Sequence, residues 1–231
     1  TGATASRMRI SYINILSSLK MMEEKFISLS DFIPSKVICG KQQKEFPLDI
    51  KKSEDHFLLS YTTHVSNQYG RNCGNRKYSL MLPKIIRLEE RTFEVLGLLQ
   101  AEMGKTNNGA LVFTNHEPEL INAVVGWFEK EFELIHSEWR WYTKVNINEP
   151  EDLTYKKQIE DKVVSYWLSK TKIKKEMSHP KSVVYTKETK NKKLGFYDYG
   201  TLILEYKNNL FSQIIKKIVR DISYEISHRE S

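Results

Sequence analysis

The ten residues Trp139–Asn148 alternate without a break. Trp139, Trp141, Thr143, Val145 and Ile147 fall on one side, and Arg140, Tyr142, Lys144, Asn146 and Asn148 on the other. A period of two fits a β-strand with one face on a core and one polar face, and it fits no helix. The flanking segments have the helical period instead. Leu88–Met103 is strongly apolar and rich in helix formers. A second helix, with Thr114 or Asn115 as its cap and Pro118 in its first turn, carries Leu120, Ile121, Val124, Val125 and Phe128 and ends near Phe132. Tyr155–Leu168 carries Ile159, Val163, Val164 and Trp167, and Leu210–Ile226 carries Ile214, Ile215, Ile218 and Ile222. Short strands are predicted at Ala110–Thr114, Val183–Tyr185 and Thr201–Tyr206. From residue 88 the order is helix, strand, helix, strand, helix, strand, strand, helix. Helices packed on an antiparallel sheet, the α+β class, follow from that order. Trp127, Trp139, Trp141 and Trp167 are assigned to the core.

Upstream the pattern is looser. Ile10, Ile13, Leu16, Leu19 and Met22 predict a helix over residues 8–29. From Asp31 to Asn75, Pro34, Gly40, Pro47, Gly70 and Gly74 interrupt the chain, and one strand is predicted at His56–Val65. Residues 1–81 are therefore read as an extension or small subdomain and residues 82–231 as the main domain. Thr1–Ser6 reads as a truncation point and is left out of the fold reasoning.

Charge and cysteine content narrow the function classes. The 231 residues carry a net charge of +7, and its distribution is uneven. Residues 1–80 carry +5, residues 81–160 carry −5 and residues 161–220 carry +9. A basic segment of that kind is the electrostatic footprint of a protein that meets phosphates. No apolar run reaches the roughly 18 residues of a membrane span. The first apolar stretch, Ile10–Leu19, is short and interrupted, so no secretory signal is expected. Cys39 and Cys73 form no CxxC pair, which excludes a zinc ribbon and points to a reducing, intracellular compartment, cytoplasmic or nucleoid-associated. The histidines have no metal-site spacing, and neither GxGxxG nor GxxxxGK[ST] occurs, which removes nucleotide-cofactor enzymes.

The helix Phe93–Gly104 carries the most chemistry. Gly97 and Ala101 lie four apart, on one face, where small residues let another helix approach closely. A glycine inside a helix costs about 1 kcal/mol against alanine, and close approach is a reason to keep one. Glu102 sits near the C-terminal end, where the macrodipole disfavours an anion. A carboxylate set against its local preference points to a counter-charge such as a metal ion. The plainer reading makes Gly97 a packing glycine and Glu102 a solvated residue.

Val95-Leu-Gly-Leu-Leu-Gln-Ala-Glu-Met103 resembles the LAGLIDADG motif, with Gly97, Leu98, Ala101 and Glu102 in register. Gln100 replaces the motif's first Asp and Met103 its last Gly. The Thr-Asn-x-x-Pro-Glu-Leu-Ile run of Thr114–Ile121, Tyr-Trp-x-Ser-Lys at Tyr166–Lys170 and Tyr-Gly-Thr-Leu-x-Leu at Tyr199–Leu204 are also similar to LAGLIDADG-type proteins. The resemblance spans about residues 82–226, and residues 1–80 carry no part of it.

The resemblance implies a LAGLIDADG-type fold, helices on a curved antiparallel sheet, in which two motif helices pack through their small residues. It implies a site-specific, divalent-metal-dependent endonuclease that cuts double-stranded DNA. Glu102 would be catalytic and hold Mg²⁺ or Mn²⁺, with Lys207 as a basic residue near the reaction. With one motif per chain, a homodimer supplies the second helix and predicts a pseudo-palindromic site. The polar strand face of Arg140, Tyr142, Lys144, Asn146 and Asn148 would read base edges. Lys170, Lys174, Lys175, Lys192 and Lys193 would meet phosphates. Gln100 and Met103 make a catalytically inactive DNA- or RNA-binding relative, a regulator or intron maturase, the alternative.

Overall fold

The computed structural model describes residues 26–39, 44–66, 72–103, 109–134, 139–186 and 199–228. In chain order its strands and helices are β1 (Phe26–Ser28), β2 (Lys36–Cys39), β3 (Lys44–Pro47), β4 (Asp49–Lys52), β5 (His56–Ser66), β6 (Asn72–Pro83), β7 (Ile85–Arg87), α1 (Glu90–Glu102), β8 (Leu111–Asn115), α2 (Pro118–Phe132), β9 (Trp139–Val145), α3 (Leu153–Lys170), β10 (Ser178–Tyr185), β11 (Thr201–Tyr206) and α4 (Asn209–His228). The mixture of helices and antiparallel pairs is α+β.

The alternating segment becomes β9, and its buried side faces the helices. Trp139, Trp141, Thr143 and Val145 are buried, and the Trp139 ring meets Phe128 of α2 at 5.4 Å. Phe128 in turn touches Phe211 of α4 at 5.6 Å, and Phe211 lies 4.9 Å from Tyr206 of β11. Three of the buried tryptophans have their N–H groups paired, as is usual for buried polar atoms, while the Trp139 N–H has no partner among the described residues. Trp127 donates to Thr92 Oγ1 (3.2 Å), Trp141 to the Lys174 carbonyl (2.8 Å) and Trp167 to the Tyr199 carbonyl (2.9 Å). All four tryptophans assigned to the core are in it.

The sheet order is β10-β9-β11-β8. β11 is antiparallel to both β9 and β8, but β10 runs parallel to β9, which corrects the all-antiparallel expectation. The cause is the connection. α3 carries the chain back to the end where β9 began, so the next strand runs in the same direction. Before β11 the chain turns at Gly200 (φ +70°), where a Cβ would stand 2.4 Å from the Lys144 carbonyl oxygen. Only glycine fits there.

The starts of α2, α3 and α4 are set by short polar side chains. Asp152 accepts from the Thr154 and Tyr155 N–H groups at 2.7 and 2.9 Å and starts α3. Asn208 accepts from the Phe211 N–H (3.0 Å) and starts α4. Asn115 accepts from the N–H groups of His116 and Glu117, turning the chain into Pro118 at the head of α2.

The described upstream residues form more strands than their sequence suggests. β5 and β6 pair antiparallel from His56↔Pro83 to Ser66↔Asn72, with β4 on the far side of β5. Phe57, Leu59, Tyr61, Leu80 and Leu82 form its buried face and share one cluster of buried side chains with the core of the helix-backed sheet. β6 crosses the division placed at residue 81, and β1 pairs with β7 beyond it. The predicted helix over residues 8–29 ends differently: Phe26–Ser28 is a strand, and Leu29–Phe32 a single 3-10 turn. Pairing with Ile85–Arg87 outweighs local propensity there. Residues 8–25 of that prediction lie outside the described residues. No helix among the described residues is long and apolar enough to cross a membrane.

Candidate nucleic-acid interface

Because β9 buries its tryptophans against the helices, the pleat turns Arg140, Tyr142 and Lys144 to the other face of the sheet. Register adds their neighbours. Glu205 pairs with Arg140, Ile203 with Tyr142 and Thr201 with Lys144, while Val112 and Thr114 of β8 continue the same face. Arg140 and Lys144 are exposed, Tyr142 and Glu205 half-buried, and Ile203 is buried at the centre.

The side chains on this face are tied to one another. The His179 ring packs edge-on against Tyr142 at 5.3 Å, and its Nε2 lies 3.1 Å from Glu205 Oε2. The Lys144 ammonium is 6.0 Å from the Tyr142 ring centre, and Arg140 donates to the Glu176 carbonyl (3.3 Å). Burial, and then the Glu205 charge, push the Tyr142 hydroxyl above its ordinary value, so it stays neutral at physiological pH. The result is a face with two exposed cations flanking an aromatic pair, with one carboxylate already engaged by His179 and by Lys207 (3.7 Å). Phosphates suit the cations, and a tyrosine hydroxyl with an imidazole can hydrogen-bond base edges.

The other predicted residues are distributed more widely. β9 ends at Val145, so Asn146 and Asn148 leave the strand and do not extend its polar face as the alternation suggested. Asn146 instead accepts from the Thr186 hydroxyl at 2.7 Å. Lys170 ends α3 beside α2, its carbonyl held by Asn122 at 2.9 Å, and Lys174 gives its carbonyl to Trp141. Both therefore lie on the helix side. Lys175 is exposed at the start of a 3-10 turn. Lys192 and Lys193 lie outside the described residues.

The motif helix α1 buries Phe93, Val95, Leu96 and Leu99 and packs on α2, α4 and β8. Gly97 is half-buried, Ala101 is exposed and Glu102 is half-buried at the last turn. The small-residue face thus points away from the chain's own core. Among the described residues no group of three or more His, Cys, Asp or Glu side chains could hold a metal ion. Lys207 stands at the end of β11 and lines a cleft with Lys44, His64 and Asn209, none of which the sequence reading singled out. Their signal was absent because the strands that carry Lys44 and His64 were not resolved from sequence as one unit. His179 and Glu205 were missed for a similar reason: only the register brings them beside Tyr142.

Compared with protein-family models, curated proteins and solved structures, the chain matches none.

Proposed function

We propose that this protein binds nucleic acid, double-stranded DNA in the first instance, through the face of its four-stranded sheet opposite the buried tryptophans, in the manner of LAGLIDADG-type proteins. The observation that carries the reading is the placement of Arg140, Tyr142 and Lys144 on that face, with Tyr142 packed on His179 and His179 paired with Glu205. A net charge of +7 supplies the long-range attraction. Arg and Lys neutralise phosphates and release counterions, so affinity falls steeply with salt. The test is binding of the full chain to a randomised duplex library at several salt concentrations. Enrichment with a steep salt slope, weakened by Arg140→Ala and Lys144→Ala together, supports the reading, and a salt-independent or absent interaction overturns it. An RNA pool run beside the duplex pool separates the maturase-like alternative.

A second reading, metal-dependent DNA cleavage by a homodimer, is favoured by one observation. Ala101 is exposed and Gly97 half-buried, which leaves the small-residue face of α1 available to a second copy, with Glu102 at its end. A single chain does not fit Mg²⁺, since among the described residues Glu102 belongs to no group of three or more His, Cys, Asp or Glu side chains that could hold a metal ion. Two copies meeting along α1 would bring two such carboxylates together. Cut ends produced with Mg²⁺ or Mn²⁺ and abolished by Glu102→Gln would establish cleavage. Binding without cut ends would leave the protein a binder.

A further inference from the structure

Where β11 runs into α4, the three-stranded sheet and the ribbon of β2 and β3 close a cleft of about 320 Å³. That volume lies in the range of about 300–1,000 Å³ typical of small-ligand sites. Its floor is aromatic. Tyr61 and Tyr78 stack with centroids 5.2 Å apart and planes 13° from parallel, and the Arg76 guanidinium sits 5.0 Å over the Tyr78 ring. One wall pairs Phe46 with His64 at 6.4 Å, edge to face. Lys44 and Lys207 also line the cleft, and no carboxylate does among the described residues.

The cleft is built rather than incidental. Asn209 donates to the Ile38 carbonyl at 2.5 Å and to Cys39 Sγ at 2.9 Å, tying the start of α4 to β2 across it. Gln213 adds a second tie, donating to the same carbonyl (3.0 Å) and accepting from the Ile38 N–H (3.2 Å). The His64 ring is fixed by Asn75 at 2.6 Å. Flat ring surfaces in a cleft lined by two lysines suit a ligand that joins an aromatic ring to an anion. A phosphate would meet Lys44 and Lys207, and a base would lie against Phe46 and His64. Lys207 connects this cleft to the outer sheet face, because its ammonium also lies 3.7 Å from Glu205.

We propose that the cleft holds a single nucleotide, with its phosphate between Lys44 and Lys207 and its base against the Phe46–His64 wall. The choice of ligand rests on the nucleic-acid reading given above. Two sources share this chemistry, the end of a bound strand and a free mononucleotide.

The test is calorimetric titration of the full chain with adenosine monophosphate, adenosine and inorganic phosphate. The monophosphate should bind more tightly than either fragment. Lys44→Ala and the exposed-site variant Lys207→Ala should each weaken it by about tenfold, the loss expected for one charge-assisted contact. Thermal unfolding of each variant confirms that it is folded. Single-stranded oligonucleotides with and without a 5′-phosphate identify the source. A preference for the phosphorylated end that disappears in Lys44→Ala assigns the cleft to a strand end, and mononucleotide binding without that preference assigns it to a free nucleotide. No mononucleotide binding and no end preference, in protein that still binds duplex through Arg140 and Lys144, overturns the cleft and leaves the sheet-face reading standing. Mononucleotide binding in protein that ignores duplex overturns the sheet-face reading alone.

Discussion

Two sheets in this molecule bury one face each in a shared core, and their other faces are built differently. On the helix-backed sheet, outward side chains hold one another: Tyr142 against His179, His179 against Glu205, Lys144 beside Tyr142. On the three-stranded sheet, Leu58 and Met81 stand opposite each other across β5 and β6, 47 % and 56 % exposed. Their neighbours Ser79, Thr62 and Lys77 are exposed polar side chains. A face whose groups are already positioned loses little side-chain entropy when a charged ligand arrives. A face of separate exposed residues has no such advantage. The comparison assigns duplex binding to the outer face of one sheet and no such role to the outer face of the other.

The largest effects should be common to both sheets, since their inner faces meet in one core. Trp141→Ala should cost about 3–5 kcal/mol and Leu59→Ala about 2–5 kcal/mol. In urea each should lower the midpoint of the same single transition. Two transitions, each insensitive to one of the substitutions, would break the picture of one shared core.

The next effect should separate the sheets. Removing Arg140 and Lys144 together should lower duplex affinity by about 10- to 100-fold at low salt and reduce the salt slope by about 2. Both side chains are exposed, so stability should stay within about 0.5 kcal/mol of the parent. Filter binding over a salt series, beside a urea melt, measures both quantities. An unchanged slope would place the phosphate contacts elsewhere.

That face was half legible in the sequence. The period of two from Trp139 onward identified Arg140, Tyr142 and Lys144 because alternation is a local property of one strand. It overran at Asn146 and Asn148, since nothing in a period says where hydrogen-bonding partners end. The partners themselves, His179 and Glu205, are 26 residues apart in sequence, on the two strands that flank β9. The upstream sheet was less legible still. Its long hairpin pairs Leu58 with Met81 and Thr62 with Lys77, so apolar and polar residues mix on the outer face and blur the alternation. The helix ends, by contrast, were read to within a few residues, because Pro118 and the apolar stripes act locally.

A smaller effect concerns pH and draws on both regions. Burial pushes the hydroxyls of Tyr61, in the three-stranded sheet, and Tyr185, in β10, above the ordinary value of 10.0, the latter to about 12. A raised phenol favours the neutral form in the folded state. Its contribution is therefore complete below pH 10 and is lost as pH rises through the folded value. Stability should be flat from neutrality to about pH 9.5 and then fall, with Tyr185 accounting for about 1–2 kcal/mol by pH 12. Tyr61→Phe and Tyr185→Phe should each flatten the alkaline limb in chemical denaturation. A limb that stays as steep in both would assign the loss to lysine ion pairs such as Lys130–Glu89 instead.

The smallest effect is the sharpest test of the contrast between the two outer faces. Leu58 and Met81 are directly opposed on adjacent strands, a geometry in which apolar pairs add roughly 0.2–1 kcal/mol. At about half exposure they recover only part of that. Leu58→Ser with Met81→Ser should therefore cost no more than about 0.5 kcal/mol and leave duplex binding unchanged. A loss of several kcal/mol would mean that this pair is covered in solution, so the outer face of the three-stranded sheet has a partner. A loss of duplex affinity at unchanged stability would mean that nucleic acid crosses both sheets, and the division of labour between them would fail.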